Sequence, residues 1–176
     1  MPKPAGFFDQ NISPHLRAAY NFARWLVRND HDAEDIVQES FMKAFAAAEE
    51  FRGNDARVWL FTIVRNTTMN LLRRRRSERV VQWQPETPEP VDTAADPESA
   101  LIDRSRRARL RDAIAALPDD YREALILREF DGLSYKEIAA VINAPIGTVM
   151  SRLNRARALL LDRLVAERRA DELSRI

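Results

Sequence analysis

Cysteine is absent from the 176-residue chain, which excludes disulfides, thiolate metal sites and cysteine nucleophiles. Histidine is scarce, at positions 15 and 31 only, so a histidine-built metal centre is excluded too. A site joining His31 to nearby acids is disfavoured, because His31 precedes a helix and no second histidine is close. Glycine occurs four times, at 6, 53, 132 and 147. Phosphate-cradling loops need several glycines together, and a chain of tight hairpins would need more turn residues. Proline is missing from 15 to 84, room for several uninterrupted helices. No apolar run approaches the ~20 residues of a membrane span, and the start, MPKPAGFFDQ, lacks the pattern of a secretory signal. The expectation is an all-α chain without membrane insertion of its own, placed in the cytoplasm, with no cofactor and no metal. No nucleophile–base pair or phosphate loop points to an enzyme.

What is present is charge, unevenly spread. The formal net charge is +1, yet residues 1–79 hold 13 Lys/Arg against 10 Asp/Glu, and 101–176 hold 15 against 12. Between them, 80–100 carries five acids and no base. Two basic blocks flanking an acidic stretch invite a search for polyanion-binding faces. The stretch QWQPETPEPVDTAADP, with four prolines, cannot bury enough apolar surface to offset its ordering entropy. It reads as a flexible acidic linker. The expected division is an N-terminal helical domain over 1–79, a linker over 80–97 and a C-terminal domain over 98–176. The seventeen residues 80–96 reach at most ~55 Å, well over the ~34 Å of one DNA turn.

Helical periodicity fills both blocks. Ser13 and Pro14 suit an N-cap and first turn, followed by Leu16, Tyr20, Ala23 and Val27 on one face. A second helix starts near Asp30 or Asp32, with Ala33, Val37, Phe41, Ala44 and Ala48 as its apolar stripe. A third starts near Asn54 or Asp55, carries Trp59, Leu60, Ile63, Val64, Thr67 and Leu71, and ends in Arg73, Arg74, Arg75 and Arg76. In the second block Pro118 stops one helix, and Asp119 or Asp120 suits the cap of the next, whose apolar 121–130 face reads as exposed. Gly132 fits just past its end.

Residues 133–157, LSYKEIAAVINAPIGTVMSRLNRAR, carry the densest signal. Ser134 and Glu137 fit a capping box. Ile138 and Ala139 lie on the buried side, and Asn143 suits a left-handed helix end. Pro145 and Gly147 open a second helix, with Val149 and Leu153 inward and Thr148, Ser151, Arg152 and Arg155 outward. This is a helix-turn-helix, which lays its second helix in the DNA major groove. Hydroxyl and guanidinium groups suit phosphate and base-edge contacts. Two core helices with a solvated face is the plain alternative; the capping box, turn residue and polar face coinciding favour DNA binding.

The segment from PDDYREALILREF through the helix-turn-helix resembles the promoter −35-reading domain of bacterial extracytoplasmic-function (ECF) sigma factors. DAEDIVQESFMKAF resembles their core-polymerase-binding helix, and ARVWLFTIVRNTTMNLLRRRR their −10-element helix. The resemblance implies two small helical domains joined by the acidic linker, recruited to core RNA polymerase and to promoter DNA, and usually held by an anti-sigma factor. It places Asp35, Gln38 and Glu39 against a helical clamp of the polymerase's largest subunit. Arg52 and Asn54 fall in a loop that holds a flipped-out base of the melted −10 element, and Arg65 and Asn66 contact that element. Arg73, Arg74, Arg75 and Arg76 then suit its sugar–phosphate backbone. Thr148, Ser151, Arg152 and Arg155 would read the −35 element, with Lys136 on phosphate. Met150 stands where relatives often carry a basic residue. The linker would thread towards the polymerase active centre and RNA exit path. Trp59 is open between core packing, the commoner role, and a stacking surface. Arg157 is open between pairing with Asp162 and solvent. An anti-sigma factor would dock on 121–130 and around 33–45. Two other functions remain: a dimeric helix-turn-helix regulator that acts without replacing sigma, which leaves DAEDIVQE unexplained, and a helical adaptor that binds only proteins.

Overall fold

A computed structural model describes residues 5–49, 51–53, 55–78 and 97–173. The described residues form eight α-helices and no strand: α1 (Ala5–Asn11), α2 (Leu16–Val27), α3 (Asp30–Ala46), α4 (Ala56–Glu78), α5 (Pro97–Ala115), α6 (Asp119–Glu129), α7 (Tyr135–Ile142) and α8 (Ile146–Leu173). A 3-10 turn over Ser13–His15 leads into α2. The all-α expectation stands. The expected linker lies almost wholly at 79–96, outside the described residues, while Pro97 already begins α5.

In the N-terminal domain α2, α3 and α4 pack on one another. Ala19, Phe22, Ala23 and Leu26 of α2 meet Ala33, Ile36, Val37 and Ala44 of α3 and Leu60, Phe61 and Val64 of α4. The Phe22 and Phe61 rings lie 5.4 Å apart. Fully burying each large apolar side chain contributes about 1.5–3 kcal/mol. Thr68 is fully buried in α4 because its Oγ1 donates to the Val64 carbonyl one turn back. α1, which the periodicity did not predict, docks through Phe8, whose ring sits edge-on to Phe41 and Phe45 of α3.

Two caps differ from expectation. Ser13 makes no cap bond; it belongs to the 3-10 turn, and His15 precedes α2 without a side-chain cap. α3 starts at Asp30 as the spacing predicts, capped by Asn29, whose Oδ1 accepts from the Asp32 amide at 3.0 Å. Pro118 stands at the N-cap of α6, so Asp119 and Asp120 fall in its first turn, where acids complement the helix dipole.

In the C-terminal domain α6 is enclosed by α2, α7 and α8, and Arg122, Glu123, Ala124, Leu125, Ile126 and Leu127 are all buried. The open apolar face expected on 121–130 is therefore largely covered, leaving Phe130 more than half exposed. Arg122, only 1% exposed, donates to the Ala115 and Leu117 carbonyls at 2.9 and 2.8 Å and pairs with Asp119. It thereby satisfies carbonyls at the end of α5 that no helical amide reaches.

The helix-turn-helix is built as the sequence dictates. The Ser134 amide donates to Glu137 Oε2 at 2.6 Å, and the Glu137 amide to Ser134 Oγ at 3.3 Å. That bond to Ser134 holds the Glu137 carboxyl below the usual carboxylate range. Asn143 ends α7 in the left-handed region at φ 51°, and Gly132 precedes it at φ 67°. Ile138, Val141 and Ile142 of α7 close on Val149, Leu153 and Ala156 of α8.

The two domains are in direct contact, α4 against α7 and α2 against α6. Their buried apolar side chains form one continuous cluster.

Candidate nucleic-acid interface

The α3 residues Asp35, Gln38 and Glu39 lie at i, i+3 and i+4 and are all exposed, as one face of the helix. His31 Nε2 sits 3.7 Å from Asp35 and Lys43 Nζ 2.6 Å from Glu39. Both are solvent-exposed i,i+4 pairs of the kind worth a few tenths of a kcal/mol at most, so neither locks the acids away from a partner. Met42 and Phe45 continue the same strip and are 68% and 67% exposed. Sequence periodicity placed Phe41, not Phe45, in the apolar stripe; the strip's bare apolar end is visible only once Phe8 is seen to cover one side of Phe45.

At the foot of α4, Phe51 stacks on Trp59 with ring centroids 4.7 Å apart and planes tilted by 32°. Trp59 is partly buried against the core, so it serves the core and the stack together. A Cβ on Gly53 would come within 2.8 Å of the Phe51 ring, so this glycine lets the ring lie where it does. Arg52 is exposed and donates to the Glu49 and Phe51 carbonyls. Asn54 lies outside the described residues. Asp55 Oδ1 caps α4 by accepting from the amides of Arg57 and Val58 at 2.9 and 3.1 Å. Across an open cleft of about 700 Å³ from Phe51, Arg52 and Trp59 stand Ser134, Lys136, Glu137 and Ala140 of the helix-turn-helix.

The polar and basic side chains of α4 divide by environment. Asn66, Arg73, Arg74 and Arg76 are exposed, with Arg76 4.0 Å from Asp119 of α6. Arg75 forms a two-pronged pair with Asp32 of α3, at 2.5 and 2.6 Å, and braces the end of α4 within its own domain. Arg65 is only 19% exposed and pairs with Glu123 of α6, which is fully buried. Burial pushes the Glu123 carboxyl up, and the Arg65 guanidinium pulls it back down.

On α8, Ser151 and Arg155 are exposed and Thr148 is half-buried. Arg155 Nη1 lies 3.3 Å from the Tyr121 hydroxyl. Arg152 is not freely outward: 22% exposed, it pairs with Asp120 of α6 at 2.7 Å. Arg157 pairs with neither Asp162 nor solvent alone but with Glu129, at 2.6 Å. Met150 and Asn154 are exposed and join Ser151 and Arg155 on one stripe at helical spacing. Asn154 was missed because the sequence reading followed hydroxyls and guanidiniums; its i+3 spacing from Ser151 is the signal that finds it. Among the described residues no three His, Asp or Glu side chains converge to hold a metal, and no helix is long and apolar enough to cross a membrane.

Two family models match the chain: Sigma-70 region 2 over residues 12–78 and Sigma-70 region 4 over residues 107–160. The ECF RNA polymerase sigma-E factors of Salmonella typhimurium and Escherichia coli are each 42% identical over 134 residues, covering 72% of this chain and 70% of theirs. Among solved structures, the sigma factor RpoE of Bartonella quintana, in complex with the anti-sigma factor NepR, superposes with a TM-score of 0.72 at 32% identity, over 89% of this chain and 96% of that one.

Proposed function

We propose, from the premise that this chain belongs to the ECF branch of the sigma-70 family, that it works as a sigma factor whose two domains divide polymerase and promoter recognition as follows. The α3 strip of Asp35, Gln38, Glu39, Met42 and Phe45 docks on core RNA polymerase. Its carboxylates suit arginines on the partner, and its apolar end supplies the desolvated area that fixes register. The Phe51–Trp59 stack, Arg52 and Asn54 hold a base of the melted −10 strand; an aromatic platform with polar edges is what single-strand capture needs. Asn66 and Arg65 line the approach, and Arg73, Arg74 and Arg76 neutralise phosphates, with Arg75 as their brace. In the −35 element Ser151, Asn154 and Arg155 reach base edges, Thr148 and Lys136 reach phosphate, and Arg152 acts from the edge of the helix.

The chemistry belongs to polymerase; sigma factors are not an enzyme family, and this chain supplies address and strand stabilisation. Each domain grips its element weakly, and tethering both on one polymerase raises the effective concentration of the second contact. The acidic residues 80–96 repel duplex DNA and fit a channel built for nucleic acid. An anti-sigma factor, the kind of partner bound by the Bartonella quintana RpoE, controls the chain in the cytoplasm.

The observation that carries this reading is the pairing of an exposed acidic-apolar strip on α3 with a complete helix-turn-helix in one short chain. A plain helix-turn-helix regulator needs the second and has no use for the first. Co-purification with core polymerase tests it. The chain should form a stoichiometric complex, and Asp35→Ala with Gln38→Ala should weaken that complex while leaving −35 DNA binding intact. A chain that binds duplex DNA but leaves core polymerase unbound overturns the reading.

A further inference from the structure

We propose that α8 reads a thymine of the −35 element through Met150: its side chain packs on the 5-methyl group, Ile146 backs it, and Gly147 lets the groove wall come close. The proposal deepens the −35 reading above and rests on it. Two rows of exposed residues run side by side along the first turns of α8, each at i, i+4 and i+8. One is Ile146, Met150 and Asn154; the other is Gly147, Ser151 and Arg155. The first row is apolar until Asn154, with Ile146 46% and Met150 48% exposed. A lone exposed methionine needs no explanation. An apolar pair one turn apart, at the end of a recognition helix that meets base edges, does.

The surroundings identify the partner. Residues 146–161 contain three arginines and no acid, a surface suited to a polyanion. The major groove offers donors and acceptors at every base edge and one kind of apolar group, the 5-methyl of thymine. Met150 carries no donor and only a weakly accepting sulfur. Set against guanine, adenine or cytosine, it strips water from the base edge and returns no hydrogen bond. Set against thymine, it buries the methyl group. Its unbranched thioether adapts to the position of that methyl, while β-branched Ile146, stiff at χ1, supports it from one turn below.

Gly147 supplies an independent observation. A Cβ there would meet no atom of the chain within 4 Å. Its backbone is not left-handed either, since Gly132 is the one glycine with positive φ among the described residues. The fold thus needs this glycine neither for room nor for conformation, and alanine is the better helix former. What the missing side chain does serve is the close approach of a group from outside the chain. Gly147 lies at i−3 from Met150 and i−4 from Ser151, so that approach falls where the apolar and polar rows meet.

The test uses the full chain on core polymerase, titrated with promoter fragments. Each thymine of the −35 element is replaced in turn by deoxyuridine, which keeps the base pair and loses only the 5-methyl group. At one position the replacement should weaken binding about fourfold, the worth of one buried methyl. With Met150→Ala the same replacement should cost nothing, because the two changes remove one contact. Gly147→Ala should keep a thermal midpoint at or above that of the unaltered chain and yet bind the fragment severalfold more weakly. Uracil tolerated at every position, or an equal penalty in Met150→Ala, overturns the proposal. Undiminished binding by Gly147→Ala overturns the close approach. A chain indifferent to the −35 element altogether would bring down the sigma reading and this proposal with it, whereas the uracil series alone decides what Met150 touches.

Discussion

The two long helices α4 and α8 carry arginines at similar density and use them differently. On α8 the guanidiniums of Arg152, Arg155 and Arg157 are braced by Asp120, Tyr121 and Glu129, all of α6 in the same domain. On α4, Arg75 is braced within its domain by Asp32, but Arg57 and Arg65 reach across to the other domain. The α8 guanidiniums are held by the scaffold of their own domain; α4 spends part of its charge on contacts with the other domain. An arginine's role follows from which carboxylate or carbonyl the fold brings to it, and a run of basic letters does not reveal that.

The contrast can be broken first at the core. Leu153 of α8 is fully buried. Leu153→Ala should cost about 2–5 kcal/mol from the C-terminal domain and abolish −35 binding, while the N-terminal domain still binds core polymerase. Denaturation followed by hydrogen exchange resolved along the chain checks this, with α2–α4 amides expected to stay protected; loss of both domains together would show that they share one fold. Next comes readout. Arg155→Ala should cost about 1–3 kcal/mol of −35 discrimination in binding titrations against base-substituted promoters. Asn154→Ala should relax preference at a single neighbouring position. Arg152→Ala and Asp120→Ala should each cost less, and the double variant no more than the larger single one, because the two act as one brace. Full additivity would make Arg152 an independent reader.

A smaller effect sits at the first helix of the motif. Ser134→Ala should destabilise the C-terminal domain by about 1 kcal/mol through loss of the N-cap, read as a lower thermal midpoint. The smallest is pH-dependent and belongs to Asp131, just past the end of α6. Burial pushes the Asp131 carboxyl up to about 7, against the pull of Arg57, the charged group facing it from α4. Its ordinary value is 3.8, so the folded state binds the proton more tightly than the unfolded one. The stabilisation is complete below the ordinary carboxylate range and fades as pH rises through about 7. The thermal midpoint should therefore fall between pH 6 and 8, and Asp131→Asn should flatten the profile.

What the sequence made legible was local. Ser134 with Glu137, Asn143 and Gly132 act within a few residues of themselves, and the structure places each as the spacing demanded. The α3 face followed from i, i+3 and i+4 alone. What stayed hidden was non-local or depended on an unforeseen element. Arg65 meets its carboxylate 58 positions away, and no periodicity encodes that. The 121–130 face read as open because its cover, α7 and α8 of its own domain and α2 of the other, is set by tertiary packing. Phe45 was assigned no role because α1 and Phe8 were not foreseen. Ser13 and Asp119 are good capping residues that miss the cap, since a 3-10 turn and Pro118 set the helix starts instead.

The most direct measurement is run-off transcription with purified core polymerase on templates in which the −35 and −10 elements are substituted separately. The account predicts a discrete start site that depends on the added chain and is lost when either element is changed, with Arg155→Ala mimicking loss of the −35 element. Transcription that ignores both substitutions, or none at all although the chain binds the template, would contradict it.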